Sequence, residues 1–302
     1  MASSDTKHIF QSLAVNVTIA IAKGTAAVFT GSGAMLAETL HSAADCTNQL
    51  LLLLGVRRAA KAPDELHPLG YGRALYFYSF IVALLLFSGG GLFSIYEGVK
   101  KLVHPEPVER VGLGLAILFF SLALEGWATW GNLKEMKARR GKTPLLRYLR
   151  ETKDSGLVVV FGENSAAVLG LAFALVALLL ASVTGDPRWD AAGSLVIGLV
   201  LIGMAVFLGF EVKSLLLGER ADPAIEAAVQ EVLARQQPKV VALLRLITVQ
   251  QGPGEVLVAM KVRFSPGLSC AEVVAAINTF ERALKARRPE IRWCFVEPDE
   301  HA

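Results

Sequence analysis

Two polar side chains interrupt a long apolar stretch near the N-terminus. His41 and Asp45 lie four residues apart within the stretch 33–54, so on a helix they share one face. A carboxylate is costly to place in hydrocarbon, and ionisable groups within a membrane segment usually carry function. A neutral imidazole and a carboxylate at this spacing are also half of a tetrahedral metal site. The alternative is a buried hydrogen bond between His41 and Asp45 that only joins helices.

The composition places such residues in a membrane protein. The 302-residue chain is 53% apolar and 19% charged, with a mean hydropathy of +0.49, which is typical of a polytopic membrane protein. Cys46, Cys270 and Cys294 show no CxxC spacing, which argues against a disulfide framework and a zinc finger. The net charge of +3 comes largely from two loops and does not indicate nucleic-acid binding. No signal or transit peptide is recognisable, so we expect a bacterial inner membrane.

Six apolar segments are each near or above the roughly 20 residues that a spanning helix needs. The connections after the second and fourth segments are rich in Lys and Arg, whereas those after the first and fifth carry almost none. Lys100, Lys101 and Arg110 after the third run against this trend. The positive-inside rule therefore predicts that both termini are cytoplasmic. The segments are 9–30, 34–56, 75–99, 111–131, 156–183 and 191–215.

The pattern changes after the sixth segment. Asp222-Pro223 indicates a helix start, with the acid at the N-cap and Pro at the first helical position, and the helix reaches about Arg235. Alternation predicts strands at 240–249, 255–264 and 291–297, and a second helix covers 269–287. The order α-β-β-α-β predicts a small α+β ferredoxin-like domain. The fold expected is an α-helical membrane protein of six transmembrane helices followed by this domain.

The order of these motifs resembles the cation diffusion facilitator family of divalent-metal transporters. The resemblance implies a transport domain over 1–217 and a cytosolic, dimerising domain over 218–302, hence a homodimer in a lipid bilayer. Within the family, the fourth and fifth spans and the C-terminal ending are most similar to the zinc transporter nine branch. The segments that carry the resemblance are 30–45, 63–73, Glu125, 163–167, 186–194 and 284–292.

The resemblance also implies a transport site. His41, Asp45 and Glu163 would form it, with Asn164 as a fourth ligand or as a partner that supports the ligands. The family usually has a second His/Asp pair four residues apart in the fifth span, but here Ala167 follows Glu163 at that spacing. The branch often has Glu-Asp where this chain has Glu163-Asn164. Imidazole and oxygen ligands suit zinc, and also manganese, iron, cobalt or nickel.

This ligand chemistry predicts a secondary transporter rather than an enzyme. Metal binding needs a neutral His and ionised carboxylates, so metal competes with protons. That competition predicts export of a divalent metal such as Zn²⁺ from the cytosol in exchange for protons, with the metal as substrate and no resident cofactor. A membrane regulator or scaffold is the alternative, favoured by Asn164 in place of an acid. The chain has neither an HExxH motif nor a nucleophile–base arrangement, which argues against an intramembrane hydrolase.

Other polar residues leave alternatives open. Asn48 either lines the cavity or makes a hydrogen bond between helices. Glu125 either has a proton-linked role or pairs with a polar neighbour, and Glu38 is either a release-path acid or without a role. His67 is either part of an accessory metal site or a surface histidine. The segment 88–91 predicts close helix packing through small residues.

Overall fold

The computed structural model describes residues 13, 16–21, 24–25, 28, 33–105 and 111–301, and for residues 33–38, 40 and 41 it describes the backbone alone. Two units make up the chain. The first comprises the described residues up to Arg57 together with Leu75–Lys213, and the second comprises Arg58–Ala74 with Ser214 onwards. Most of the predicted first span, 9–30, lies outside the described residues.

The first unit is helical, as its long apolar segments predict. Ala74–Val103, Val111–Arg140, Ser155–Thr184 and Arg188–Leu217 are long and apolar enough to cross a membrane, which confirms four of the predicted spans as helices. Helix α1 covers the predicted second span but is not among these four, because polar residues interrupt its apolar pattern. The elements are α1 (Gly33–Ala59), α2 (Ala74–Leu85), a π-helix (Leu86–Leu92), α3 (Phe93–Val103), α4 (Val111–Arg140), α5 (Leu145–Glu151), α6 (Ser155–Thr184) and α7 (Arg188–Leu217).

Glycines bring the segment Ala74–Val103 against α7, and we call Gly91, Gly98 and Gly198 the glycine seam. A Cβ atom on Gly198 would lie 2.8 Å from Ile95 Cγ1 and 2.9 Å from the carbonyl oxygen of Gly91. A Cβ on Gly98 would lie 2.8 Å from the side chain of Leu195. Only hydrogen fits at these positions. The close packing predicted for 88–91 is therefore confirmed at Gly91, where a Cβ would lie 2.5 Å from Ile202 Cγ1, but not at Gly89, where it would meet nothing within 4 Å. Small residues allow this approach in membrane helix pairs.

An ion pair joins the same two segments further along. Lys101 Nζ donates to Asp190 Oδ2 at 2.6 Å, and both side chains are half-buried. Lys101 is one of the cations that run against the positive-inside trend. The pair is therefore a second, polar contact between Ala74–Val103 and α7.

The second unit contains a sheet covered by two helices. Its elements are α8 (Pro223–Ala234), β1 (Val240–Gly252), β2 (Glu255–Phe264), α9 (Cys270–Arg287) and β3 (Ile291–Pro298), in the predicted order α-β-β-α-β. The sheet order is β1-β2-β3, with β1 and β2 antiparallel and β2 and β3 parallel. Asp222 caps α8 as predicted, and a capping box of Ser269 and Glu272 begins α9.

The core of this unit lies between the helices and one face of the sheet. Ile225 and Val229 of α8, Phe280 and Leu284 of α9, and alternate residues of β2 are almost fully buried together. The ferredoxin-like classification stays a prediction, as does the functional division at residues 217 and 218.

The connection between α1 and α2 belongs to the second unit. A Cβ on Gly252 would lie 2.7 Å from Gly72 Cα, so the backbones of the two glycines touch. Within the connection, the Asp64 carboxylate accepts hydrogen bonds from Lys61 Nζ at 2.8 Å and Tyr71 Oη at 2.7 Å. These two donors hold the pKa of Asp64 well below its usual value.

Candidate functional site

Helices α1 and α6 place three polar side chains together inside the apolar unit. Asn48 Nδ2 donates a hydrogen bond to Glu163 Oε1 at 2.6 Å. Asp45 lies one turn before Asn48, and its carboxylate is close enough to interact electrostatically with Glu163. We call Asp45, Asn48 and Glu163 the α1–α6 polar contact. Of the predicted site residues, Asp45 and Glu163 therefore lie within electrostatic range of each other.

His41 lies in the same helix, four residues before Asp45. Its backbone is helical, and its side chain is outside the described part of the structure. Residues at spacings of four and seven occupy one helical face, so His41, Asp45 and Asn48 share the face of α1 that carries the polar contact. The predicted ligand role of His41 stays a prediction.

Within the polar contact, the amide is more deeply buried than the two carboxylates. Asn48 is 2% exposed, whereas Asp45 and Glu163 are half-buried. Asn48 Oδ1 is buried and has no hydrogen-bond partner among the described residues. Two carboxylates and an unsatisfied amide oxygen in one apolar region form an oxygen-rich group of the kind that divalent cations bind.

The neighbouring helices fix where Glu163 stands. Asp154 caps the start of α6 by accepting a hydrogen bond from the backbone N–H of Leu157 at 3.1 Å. Gly162 lets Leu208 and Met204 of α7 approach, because a Cβ there would lie 3.1 to 3.2 Å from their side chains. The position of Glu163 is therefore set by a cap at the helix start and by close packing beside it.

Asn164 faces a different neighbour through its backbone. Thr129 Oγ1 of α4 lies 3.4 Å from the Asn164 carbonyl oxygen and donates a shorter bond, 2.7 Å, to the carbonyl of Glu125. Among the described residues, no hydrogen bond joins the Asn164 side chain to Asp45 or Glu163. Its predicted place as a fourth ligand stays a prediction.

From the sequence, Asn48 either lines a cavity or makes a hydrogen bond between helices, and the structure shows the hydrogen bond. The sequence does indicate that Asn48 belongs to the candidate site, because it lies seven residues after His41 and three after Asp45, on the same helical face. What the sequence could not indicate was its partner, because Glu163 lies 115 residues away.

Among the described residues, which do not include the side chain of His41, no group of three or more His, Cys, Asp and Glu side chains is placed to hold a metal ion. His67 Nδ1 lies 3.4 Å from Asp64 Oδ1, and the His67 ring packs on Tyr71 at 4.2 Å between centroids. In the second unit, burial raises the pKa of the Cys294 thiol to about 11, so it is a weak metal ligand at neutral pH.

Comparisons with known proteins agree with the helical unit. A family model described as the cation efflux transmembrane domain matches residues 9–217. The human protein named proton-coupled zinc antiporter SLC30A9, mitochondrial, is 32% identical over 260 residues, which are 85% of this chain and 46% of the relative. The Xenopus laevis protein of the same name is 35% identical over 239 residues, 78% of this chain and 43% of the relative.

A bacterial relative is matched along more of its own length. Cation-efflux pump FieF of Klebsiella pneumoniae strain 342 is 27% identical over 266 residues, 86% of this chain and 81% of the relative. The chain spans about half the length of the SLC30A9 relatives. Those relatives are mitochondrial by name, so the expected bacterial inner membrane gains no support. Because the family model matches well over half of the chain, the protein belongs to the cation efflux family, also called the cation diffusion facilitator family.

Proposed function

We propose that this protein exports a divalent metal cation, with zinc as the first candidate, from the cytosol in exchange for protons. The observation that carries the proposal is the α1–α6 polar contact, because oxygen ligands from two helices meet there in an apolar unit. Names of the relatives support the same activity: two are called proton-coupled zinc antiporters and one a cation-efflux pump.

The proposed transport site consists of His41, Asp45 and Glu163, with Asn164 as a fourth ligand or as support for the others. An imidazole and two carboxylates accept zinc, and they accept manganese, iron, cobalt or nickel as well. These groups must lose protons to bind metal. Protons arriving from the far side would therefore displace the metal, which couples export to proton entry.

The proposed architecture has six spans, both termini in the cytosol, and a transport domain over 1–217. The ferredoxin-like domain over 218–302 would join two copies of the chain. The outward face of its sheet supports this through two apolar cross-strand rows, Val249-Leu257-Trp293 and Ile247-Ala259-Phe295, which lie beside a charged row, Arg245-Lys261-Glu297. Ile247 and Phe295, which flank Ala259 in one such row, are 41% and 57% exposed. An exposed apolar sheet face of this kind is typical of an interface.

A regulator or scaffold in the membrane remains the second candidate. The observation in its favour is that Ala167 stands where the family usually has a second acid in the fifth span, with Asn164 beside Glu163. Such a protein would keep the fold and the relatives' sequence pattern but move no cation.

Transport by the purified full chain in sealed liposomes distinguishes the two candidates. We expect uptake of Zn²⁺ that saturates with concentration and exceeds that of protein-free vesicles, tested beside Mn²⁺, Co²⁺ and Ni²⁺ under an imposed pH gradient. A folded, correctly inserted protein that moves none of these cations would contradict the proposed function and favour the scaffold.

A further inference from the structure

Asn48 holds an unusual position for a residue that only joins two helices. Its Nδ2 donates to Glu163 Oε1 at 2.6 Å, while its buried Oδ1 accepts no hydrogen bond from the part of the chain that the structure describes. A buried acceptor left unsatisfied destabilises the folded protein, and apolar side chains could pack between the two helices without that penalty. Helix association alone therefore does not explain why an amide occupies this position.

The position of Asn48 on α1 connects it to the proposed ligands. It lies seven residues after His41 and three after Asp45, on the face that meets α6. Its bond to Glu163 restrains that carboxylate, and its free oxygen lies in the same polar contact as Asp45. One amide thus touches a proposed ligand and offers a further oxygen atom beside it.

Resting on the proposed transport function, we propose that Asn48 belongs to the cation site. Its N–H group holds Glu163 in position, and its Oδ1 serves as an oxygen ligand of the transported cation. A bound cation would satisfy Oδ1, so the destabilisation from this unpaired oxygen is removed only when the site holds a cation.

Charge balance favours an amide at this place. Asp45 and Glu163 together carry two negative charges when ionised, which match the two positive charges of a divalent cation. A third carboxylate would leave a net charge within the apolar unit, and such charge is costly there. A neutral amide adds a ligand without that cost. It also adds a hard oxygen, which favours cations such as Mn²⁺ relative to a site with a second imidazole.

Three substitutions at this position separate a ligand from a helix contact. Asn48→Leu replaces both amide atoms by methyl groups in a side chain of the same branched shape. Asn48→Ser shortens the side chain so that it no longer reaches Glu163, and serine is small and polar, as residues between membrane helices often are. Asn48→Asp keeps an oxygen ligand but loses the donor. Thr47→Val is the matched control, because Thr47 is exposed on the same helix and its hydroxyl donates to the carbonyl of Ala43 within that helix.

The full chain is tested by two readouts. The first is the KM and kcat of Zn²⁺ and Mn²⁺ uptake in liposomes. The second is the visible absorption of Co²⁺ bound to the detergent-solubilised protein, which reports the ligand set without any need for transport. We expect Asn48→Leu and Asn48→Ser to raise KM about 10-fold or more, as loss of a supporting group does at metal sites, and to change the Co²⁺ spectrum. Asn48→Asp should bind Co²⁺ more tightly than Asn48→Leu, and Thr47→Val should match the parent.

The outcomes separate this inference from the proposed function. An unchanged Co²⁺ spectrum and KM in Asn48→Ser, with only lower thermal stability, would make Asn48 a helix contact and overturn the inference while transport by the parent stands. If Asn48→Leu does not fold, Asn48→Ser decides alone. A parent chain that moves no cation would contradict the proposed function instead, whatever the variants do.

Discussion

Two helix contacts in the membrane unit use opposite means to hold helices together. At the glycine seam, Gly91, Gly98 and Gly198 let α2–α3 and α7 pack at distances that leave no room for a Cβ atom. At the α1–α6 polar contact, an amide and two carboxylates meet instead, and the amide oxygen has no hydrogen-bond partner in the described ranges. The glycine seam is tightly packed, whereas the polar contact has an oxygen atom that can still accept a hydrogen bond or bind a cation.

The difference indicates which contact can change during function. A packed apolar contact has no group that binds or releases an ion, and it loses packing when its helices separate. Carboxylates at the polar contact can exchange protons for metal, which alters the forces between α1 and α6. We therefore assign a fixed structural role to the glycine seam and the chemical role to the polar contact, and the following changes test that division.

The largest effect is expected from Asp45→Ala. Loss of one of the few proposed ligands should abolish Zn²⁺ uptake in liposomes while leaving membrane insertion and thermal stability close to those of the parent. Glu135→Ala is the control, because it removes an exposed carboxylate whose pairing with Arg139 contributes little. Normal uptake by Asp45→Ala would remove α1 from the proposed site.

Gly198→Ala should disturb the glycine seam next. The new Cβ would meet Ile95 and the Gly91 carbonyl at under 3 Å, and overpacking of this kind costs about 1–3 kcal/mol. Thermal unfolding in detergent should show the loss. Gly203→Ala on the same helix meets nothing within 4 Å, so it should be neutral or slightly stabilising. Equal stability of the two variants would mean that the seam is not tightly packed.

Asn164→Asp should alter metal preference more than folding. It adds a negative charge beside Glu163, which strengthens divalent binding if Asn164 lies near the cation. The check is the ratio of Mn²⁺ to Zn²⁺ uptake across a pH series, with Asn278→Asp on the exposed side of α9 as the control for added charge. A metal profile and pH curve identical to those of the parent would place Asn164 away from the ion.

A smaller, local effect is expected from Asp64→Asn in the second unit. The folded-state pKa of Asp64 is lowered by Lys61 and Tyr71, so its stabilising contribution is present above the unfolded value of about 3.9 and is lost as pH falls through the folded value. At neutral pH the His67 amide, which donates to Asp64 Oδ1 at 2.9 Å, should exchange hydrogen faster in the variant. Glu65→Gln is the control, and equal exchange in both would show that Asp64 does not hold the turn.

The regular elements could be predicted from the sequence because their signals are local. Apolar length predicted the four candidate spans that the structure contains, and the Asp222-Pro223 start and the alternating strands predicted the order of the second unit. The π-helix at Leu86–Leu92 escaped prediction, since glycines there indicated close packing but not the altered hydrogen bonding. The first span stays a prediction because most of it lies outside the described residues.

The candidate site was only partly predictable, because its members come from distant parts of the chain. Asp45 stood out as an acid in an apolar helix, and Glu163 was assigned by resemblance to a family. The pairing of Asn48 with Glu163 depends on how α1 and α6 pack, which no local pattern determines. The same reason hid the contact of Gly72 with Gly252, which places the connection 58–74 in the second unit.

The central claim is that the polar contact exchanges a divalent metal for protons, and proton movement tests it most directly. The full chain would be sealed in liposomes that contain a pH-sensitive dye, and Zn²⁺ would be added outside with the membrane potential clamped. The account predicts that Zn²⁺ entry is accompanied by proton exit, and that both vanish together in Asp45→Ala. Zinc flux that continues unchanged with the pH gradient collapsed, and moves no protons, would contradict it.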